Sequence, residues 1–147
     1  MVFEDVVTPS AVIDELDRAA ASGYEFTEGI DAVKAYDGGC LEVITPTEDE
    51  RQRADRLRDH ALSRTDARCV AITDGRDWRL LTDDAHVGTV AKQRGVDVWD
   101  LALLIQAGIR IDVIETAAEL STIIDELKRR DNYRFSDADR DALFDTF

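Results

Sequence analysis

The sequence predicts a fold of the α/β class built from parallel βαβ units. Short apolar strands recur, clearest at Trp78–Leu81 and Val96–Trp99. Between them Val87, Val90 and Ala91 give Ala85–Arg94 one packed side at helical spacing, and Gly95 terminates it. Strand, turn, helix, strand is the rhythm of a parallel sheet with helical crossovers. At 147 residues, with no internal repeat, low-complexity tract or linker, residues 1–147 are expected to form one domain with a core of ordinary size.

The elements follow in order. Val2–Val7 is a β-branched segment, and Thr8-Pro9 supplies a helix start, with Thr as cap and Pro in the first turn where its missing N–H costs nothing. That helix is expected from Pro9 to about Ser22, with Val12, Ile13, Leu16 and Ala20 as its apolar face and Glu15 at the margin. Gly23 ends it. Ile30, Ala32, Val33 and Tyr36 suggest a short helix that stops at Gly38-Gly39, and Leu41–Ile44 reads as a strand closed by Thr45-Pro46. Thr47–Leu62 reads as a polar helix with a thin seam of Ala54, Leu57 and Ala61. Its acids and arginines alternate, as Asp49 with Arg53, in the manner of a solvated ion-paired face.

Ser63–Asp66 matches a capping box ahead of the apolar run Ala67–Ile72, and Asp74–Asp77 is expected to turn into the Trp78 strand. Leu101–Ala107 reads as an apolar helix stopped by Gly108. Leu120, Ile123, Ile124 and Leu127 make a helical stripe within Thr116–Arg130, and Ser136 with Asp139 caps a last helix to Phe147.

Composition narrows the class. No run of 18 apolar residues exists, and Met1 is not followed by a basic and then apolar leader, so a soluble, cytoplasmic protein without membrane partners is expected. Cys40 and Cys69 lack a CxxC partner and sit in apolar surroundings, as small core residues do. The formal charge is −14, with three lysines against fifteen arginines. Such a body repels nucleic acid at low salt, but at molar salt the Debye length falls to about 3 Å and an RNA partner is not excluded. The scarcity of lysine beside so many acids resembles proteins of salt-loving archaea.

Glycine-loop nucleotide binding has no support, because neither GxGxxG nor GxxxxGK[ST] is present. No nucleophile-elbow motif exists, and His60 and His86 are lone histidines. His86 is within reach of a metal held by Asp84, although no known metal-ligand motif includes it here.

What remains is a set of acids at element ends. Asp83 and Asp84 follow the Trp78 strand, and in open parallel sheets ligands bind beyond the carboxyl ends of strands. An Asp at that joint also caps the following helix. Asp66 has the same double reading at the start of the Ala67–Ile72 helix, and Glu15 is equally a marginal surface acid. Hard oxygen donors of this kind suit Mg²⁺ or Mn²⁺. Paired ions about 3.5–4 Å apart activate water and steady the leaving oxygen in phosphodiester hydrolysis. Without a cation, each close pair of carboxylates costs about 4 kcal/mol at an effective dielectric of 20.

Four segments resemble the PIN-domain family, the fold of VapC-type toxin ribonucleases. VVTPSAVIDEL resembles the family's V-x-P-x-x-V-x-x-E-L helix and places a metal-site acid on Glu15. LSRTDARCVAI resembles the L-S-x-x-D-x-x-x-x-A helix start, giving Asp66. WRLLTDDAHVGTVAKQRGVDV resembles the L-L-T-x-D strand end with its helix, giving Asp84 with Asp83 beside it. WDLALLIQAGIRIDVIE resembles the L-L-x-x-A-x-x-x-G-L-I segment of one prokaryotic PIN-like branch.

The resemblance implies a three-layer α/β/α domain with a short, mainly parallel sheet. It implies an Mg²⁺- or Mn²⁺-dependent endoribonuclease in which Glu15, Asp66 and Asp84 are catalytic and Glu15, Asp66, Asp83 and Asp84 hold metal. RNA as substrate, an antitoxin protein as partner and a homodimer come with it. One departure stands out: the family opens with a core strand ending in Asp and a helix, whereas this chain begins near the VVTP segment. Glu4 and Asp5 are too close to the Glu15 helix to replace that strand, so an N-terminally truncated domain is expected, from a late start codon or a degraded relative. The alternative function is a catalytically inactive PIN-like module for protein interaction or RNA binding. A receiver-like phosphoacceptor fits less well, because the acid pair falls at mid-chain and Lys128 lies within a predicted helix.

Overall fold

Caps and glycines set most element boundaries in the computed structural model, which describes residues 5–27 and 41–147. β1 (Val6–Pro9) leads directly into α1 (Ser10–Ala21). Pro9 is itself the extended N-cap, and no side chain bonds the free N–H groups there. Thr8, expected as the cap, lies one residue too early and belongs to the strand. Gly23, at φ +81, turns the chain out of α1 as expected, since this left-handed conformation is open to glycine at no steric cost. A 3₁₀ turn, Glu25–Thr27, follows. The helix expected around Ile30–Tyr36, with Gly38-Gly39 and Cys40, lies outside the described residues, as do Val2, Phe3 and Glu4.

β2 (Leu41–Ile44) pairs in parallel with β1, Val6 opposite Leu41 and Pro9 opposite Ile44. α2 (Glu48–Leu57) opens with a full capping box between Thr47 and Glu50. It stops sooner than its polar pattern suggests. Arg58–His60 tightens to 3₁₀ and Ala61 takes φ +59, so Leu62, not Ala61, enters the core. α3 (Arg64–Arg76) starts on the Ser63 cap and runs through the turn expected at Asp74–Asp77, ending only at Asp77 with φ +54. Gly75 lies inside this helix, with the Glu50 side chain of α2 3.7 Å from where a Cβ would be, an ordinary contact distance.

β3 (Leu80–Leu81), α4 (Ala85–Gln93) and β4 (Val98–Trp99) form the expected βαβ unit, with Leu81 opposite Trp99. α5 (Leu101–Arg110) continues past Gly108, which is buried against Ile114 and is not a stop. α6 (Ala117–Asp131) carries a second capping box, Thr116 with Glu119, and α7 (Asp137–Phe144) starts on Ser136.

Two apolar clusters hold these elements. Ala54 and Leu57 of α2, Val70 and Ala71 of α3, Leu80, and Val87 and Val90 of α4 form one. Ile105 and Ile109 of α5, Ile114, Leu120 and Ile124 of α6 and Leu143 of α7 form the other. Each large apolar side chain fully buried in them stabilises the fold by about 1.5–3 kcal/mol. The class is α/β with short parallel strands, as predicted. Among the described residues the strands make two separate pairs, β1 with β2 and β3 with β4, and α3 packs on both β1 and β3. No helix among the described residues is long and apolar enough to cross a membrane.

Candidate functional site

The amino end of α3 gathers two of the acids. Ser63 accepts the Asp66 N–H at 3.0 Å and its hydroxyl donates to Asp66 Oδ2 at 2.6 Å, so the cap that starts the helix also fixes the Asp66 carboxylate. Thr65, in the same first turn, donates its hydroxyl to Glu15 Oε1 of α1. A side chain 50 residues away is thereby drawn to the same helix end, where the amino-terminal half of the helix dipole favours negative charge. Cys69, one turn further along α3, registers both acids. Burial first, then the negative charges of Asp66 and Glu15, push its thiol up to about 12.

Asp83 and Asp84 leave β3 in different directions. Asp84 caps α4, with Oδ1 accepting from His86 N–H at 2.8 Å and Val87 N–H at 3.0 Å. Asp83 Oδ1 accepts the Leu101 N–H at 3.1 Å and so ties the start of α5 to the end of β3. The Tyr133 phenol lies beside Asp83. Burial first, then its interaction with Asp83, then the charges of Asp83, Asp100 and Asp139 push the Tyr133 phenol above its usual range. His86 is exposed, and its Nε2 lies 2.7 Å from the His60 carbonyl oxygen, which brings the start of α4 beside the turn that precedes α3.

The chain therefore brings Glu15 and Asp66 to one helix end, sets Asp84 at the neighbouring helix end, and turns Asp83 toward α5 and Tyr133. No group of three or more His, Cys, Asp or Glu among the described residues is placed to hold a metal ion. Two carboxylates still match the way Mg²⁺ is commonly held, with one or two protein carboxylates and the rest of the octahedron filled by water and substrate phosphate. The donor chemistry of Glu15 and Asp66 fits such a hydrated ion and does not fit an all-protein cage.

The family model DUF3368, described as a PIN domain, matches residues 1–145. The chain belongs to the PIN-domain family. No curated protein and no solved structure matches it.

Two residues that organise this PIN domain's acids are absent from the motifs. Thr65 sits inside the Ser63–Asp66 capping pattern, where a hydroxyl needs no tertiary explanation, so its reach to Glu15 leaves no signal along the chain. Tyr133 follows the left-handed Asn132 that ends α6, and only the folded path returns its phenol to Asp83.

Proposed function

We propose that this PIN domain is a metal-dependent endoribonuclease. Glu15 and Asp66 grip Mg²⁺ or Mn²⁺, and Asp84, at the neighbouring helix end, completes the acidic edge beyond β3, while Asp83 holds the start of α5. The observation that carries this reading is the Thr65 hydroxyl, which draws Glu15 to the helix end where Asp66 is fixed. A bound divalent ion supplies Lewis-acid polarisation of the phosphodiester and acidifies water. The chain's own part is positioning. Ser63 and Thr65 hold the two carboxylates in fixed orientations, and the α3 amino end stabilises negative charge brought to it. With a formal charge of −14, RNA approach depends on that cation and on salt that shortens the range of repulsion. An antitoxin protein, a homodimer and a cytoplasmic setting belong to the same proposal.

A second reading is favoured by the Asp83 and Asp84 bonds, because both side chains already satisfy helix N–H groups. In it the chain is an inactive PIN-like module that binds RNA or protein. Cleavage of an RNA pool under Mn²⁺ titration decides between them, with Glu15→Gln and Asp66→Asn as controls. The nuclease reading expects cation-dependent cleavage, reduced in each variant by more than the roughly 10- to 100-fold that outer-shell partners carry. A folded wild-type chain that cleaves nothing and takes up no Mn²⁺ in calorimetry leaves the interaction module standing.

A further inference from the structure

Glu15, Asp66 and Asp84 share one arrangement. In each, a single carboxylate oxygen is held by the protein: Glu15 Oε1 by the Thr65 hydroxyl, Asp66 Oδ2 by the Ser63 hydroxyl, and Asp84 Oδ1 by the His86 and Val87 N–H groups. Among the described residues nothing donates to the other oxygen of any of the three. A carboxylate fastened by one oxygen presents the other in a fixed direction, as the carboxylates that hold metal ions commonly do. Ser63 and Thr65 fix Glu15 against Asp66 at the amino end of α3, yet neither reaches Asp84 at the amino end of α4.

His86 spans that gap. Its backbone N–H lies 2.8 Å from Asp84 Oδ1 and its ring Nε2 lies 2.7 Å from the His60 carbonyl oxygen. One residue thus holds the Asp84 carboxylate with its main chain and the approach to α3 with its side chain. A carbonyl oxygen only accepts, so Nε2 carries the hydrogen of this bond. From His60 the chain needs only Ala61 and Leu62 to reach Ser63, whose hydroxyl holds Asp66. Little slack remains in that path. Leu62 is buried in the core, and Ala61 takes φ +59, a left-handed conformation that a residue with a Cβ adopts at a cost. Deeper in the fold α3 and α4 share the first apolar cluster through Val70, Ala71, Val87 and Val90, and apolar burial resists separation without preferring a direction. The His86 bond supplies direction at the exposed end.

We propose that His86 is a positioning residue of this site: by donating to the His60 carbonyl, its ring sets how close Asp84 stands to the cation that Glu15 and Asp66 grip. The role rests on the nuclease reading above. His86 acts through Asp84, whose negative charge adds to the attraction for the ion by an amount that falls with distance. Its Nε2, spent on a carbonyl, is not offered to the metal.

The test is a double-mutant cycle on Mn²⁺ affinity, measured by calorimetry on the full chain, with cleavage of an RNA pool and urea unfolding followed beside it. His86→Phe keeps a ring but has no N–H to donate, and it should weaken Mn²⁺ binding and slow cleavage by about tenfold each. His86→Gln, whose side-chain amide can donate to the same carbonyl, should restore most of both. In an Asp84→Asn background, which keeps the α4 cap, His86→Phe should change Mn²⁺ affinity by less than about twofold, because the charge it positions is gone. A general loss of stability would not depend on Asp84 in this way. Equal Mn²⁺ affinity in wild type and His86→Phe, or an equal loss with and without the Asp84 carboxylate, overturns the role of His86 and leaves the nuclease reading intact. A wild-type chain that takes up no Mn²⁺ and cleaves nothing overturns both. Should His86→Phe fail to fold, His86→Ala carries the same cycle.

Discussion

Arg76 closes on Glu50 with two parallel hydrogen bonds, Nε to Oε1 at 2.6 Å and Nη2 to Oε2 at 2.9 Å. Glu50 is only 5% exposed, and its Oε2 also accepts the Thr47 N–H at 2.8 Å. One carboxylate thus caps α2 and ties it to the last turn of α3, the helix that carries Asp66.

Removing the arginine strands that carboxylate. Arg76→Met should cost about 3 kcal/mol in urea unfolding, because a buried charge left unpaired is expensive. The pH dependence has a definite sign. The Arg76 hydrogen bonds hold Glu50 below the ordinary carboxylate range, so their contribution is complete above the unfolded-state value of about 4.3 and is lost as pH falls through the lower folded value. The gap between wild type and Arg76→Met should narrow with acid; a gap constant from neutral pH to about pH 3 contradicts the assignment.

The Cys69 thiol offers a reading of the α3 acids that needs no activity. With the thiol pushed up to about 12, its thiolate fraction at pH 8 is about a thousandfold below that of a free cysteine near 8.5. In a Cys40→Ser background, a disulfide reagent should label Cys69 slowly in the native protein and fast in urea. Glu15→Gln and Asp66→Asn should each speed the native reaction, since both charges oppose thiolate formation. Native labelling at the unfolded rate would show that Cys69 is open and the two acids are elsewhere.

The chain announced its caps and its acids more clearly than their alliances. Ser63 and Ser136 both cap helices where local hydrogen-bonding logic puts them, because a cap depends on residues within one turn. Gly75 and Gly108 misled for the opposite reason. Each looks like a breaker along the chain, yet each lies inside a helix, because a single interior glycine costs only about 1 kcal/mol and the packing of the whole helix outweighs it. The site divides in the same way. Asp66 and Asp84 were legible as residues at helix starts, whereas the approach of Glu15 to Thr65 and of Tyr133 to Asp83 depends on long-range packing that no short motif encodes.

Asp84 separates structure from chemistry. Its carboxylate accepts two N–H groups at the start of α4, so Asp84→Ala should cost about 1 kcal/mol, the usual loss for a missing cap. Asparagine caps nearly as well, and Asp84→Asn should unfold within a few tenths of a kcal/mol of wild type. If the acidic edge is the nuclease site, that same variant loses Mn²⁺-dependent cleavage while keeping its stability. Full cleavage by Asp84→Asn removes Asp84 from the site and leaves it a cap alone.

Two glycine substitutions should move stability in opposite directions. Gly95 ends α4 at φ +82 with nothing within 4 Å of an added Cβ, so alanine there meets no clash but must adopt a left-handed backbone, at about 1 kcal/mol. Gly108 lies within α5, and its added Cβ would stand 3.5 Å from Ile114 Cδ1, an ordinary van der Waals contact. Alanine in that helix interior removes unfolded-state freedom and should gain about 0.5–1 kcal/mol. Thermal unfolding midpoints of Gly95→Ala and Gly108→Ala should therefore fall and rise by about 3 °C respectively. A drop at Gly108 would mean that α5 and the Ile114 segment lie closer than their contact distance implies, and a rise at Gly95 would contradict the left-handed turn that brings the chain from α4 into β4.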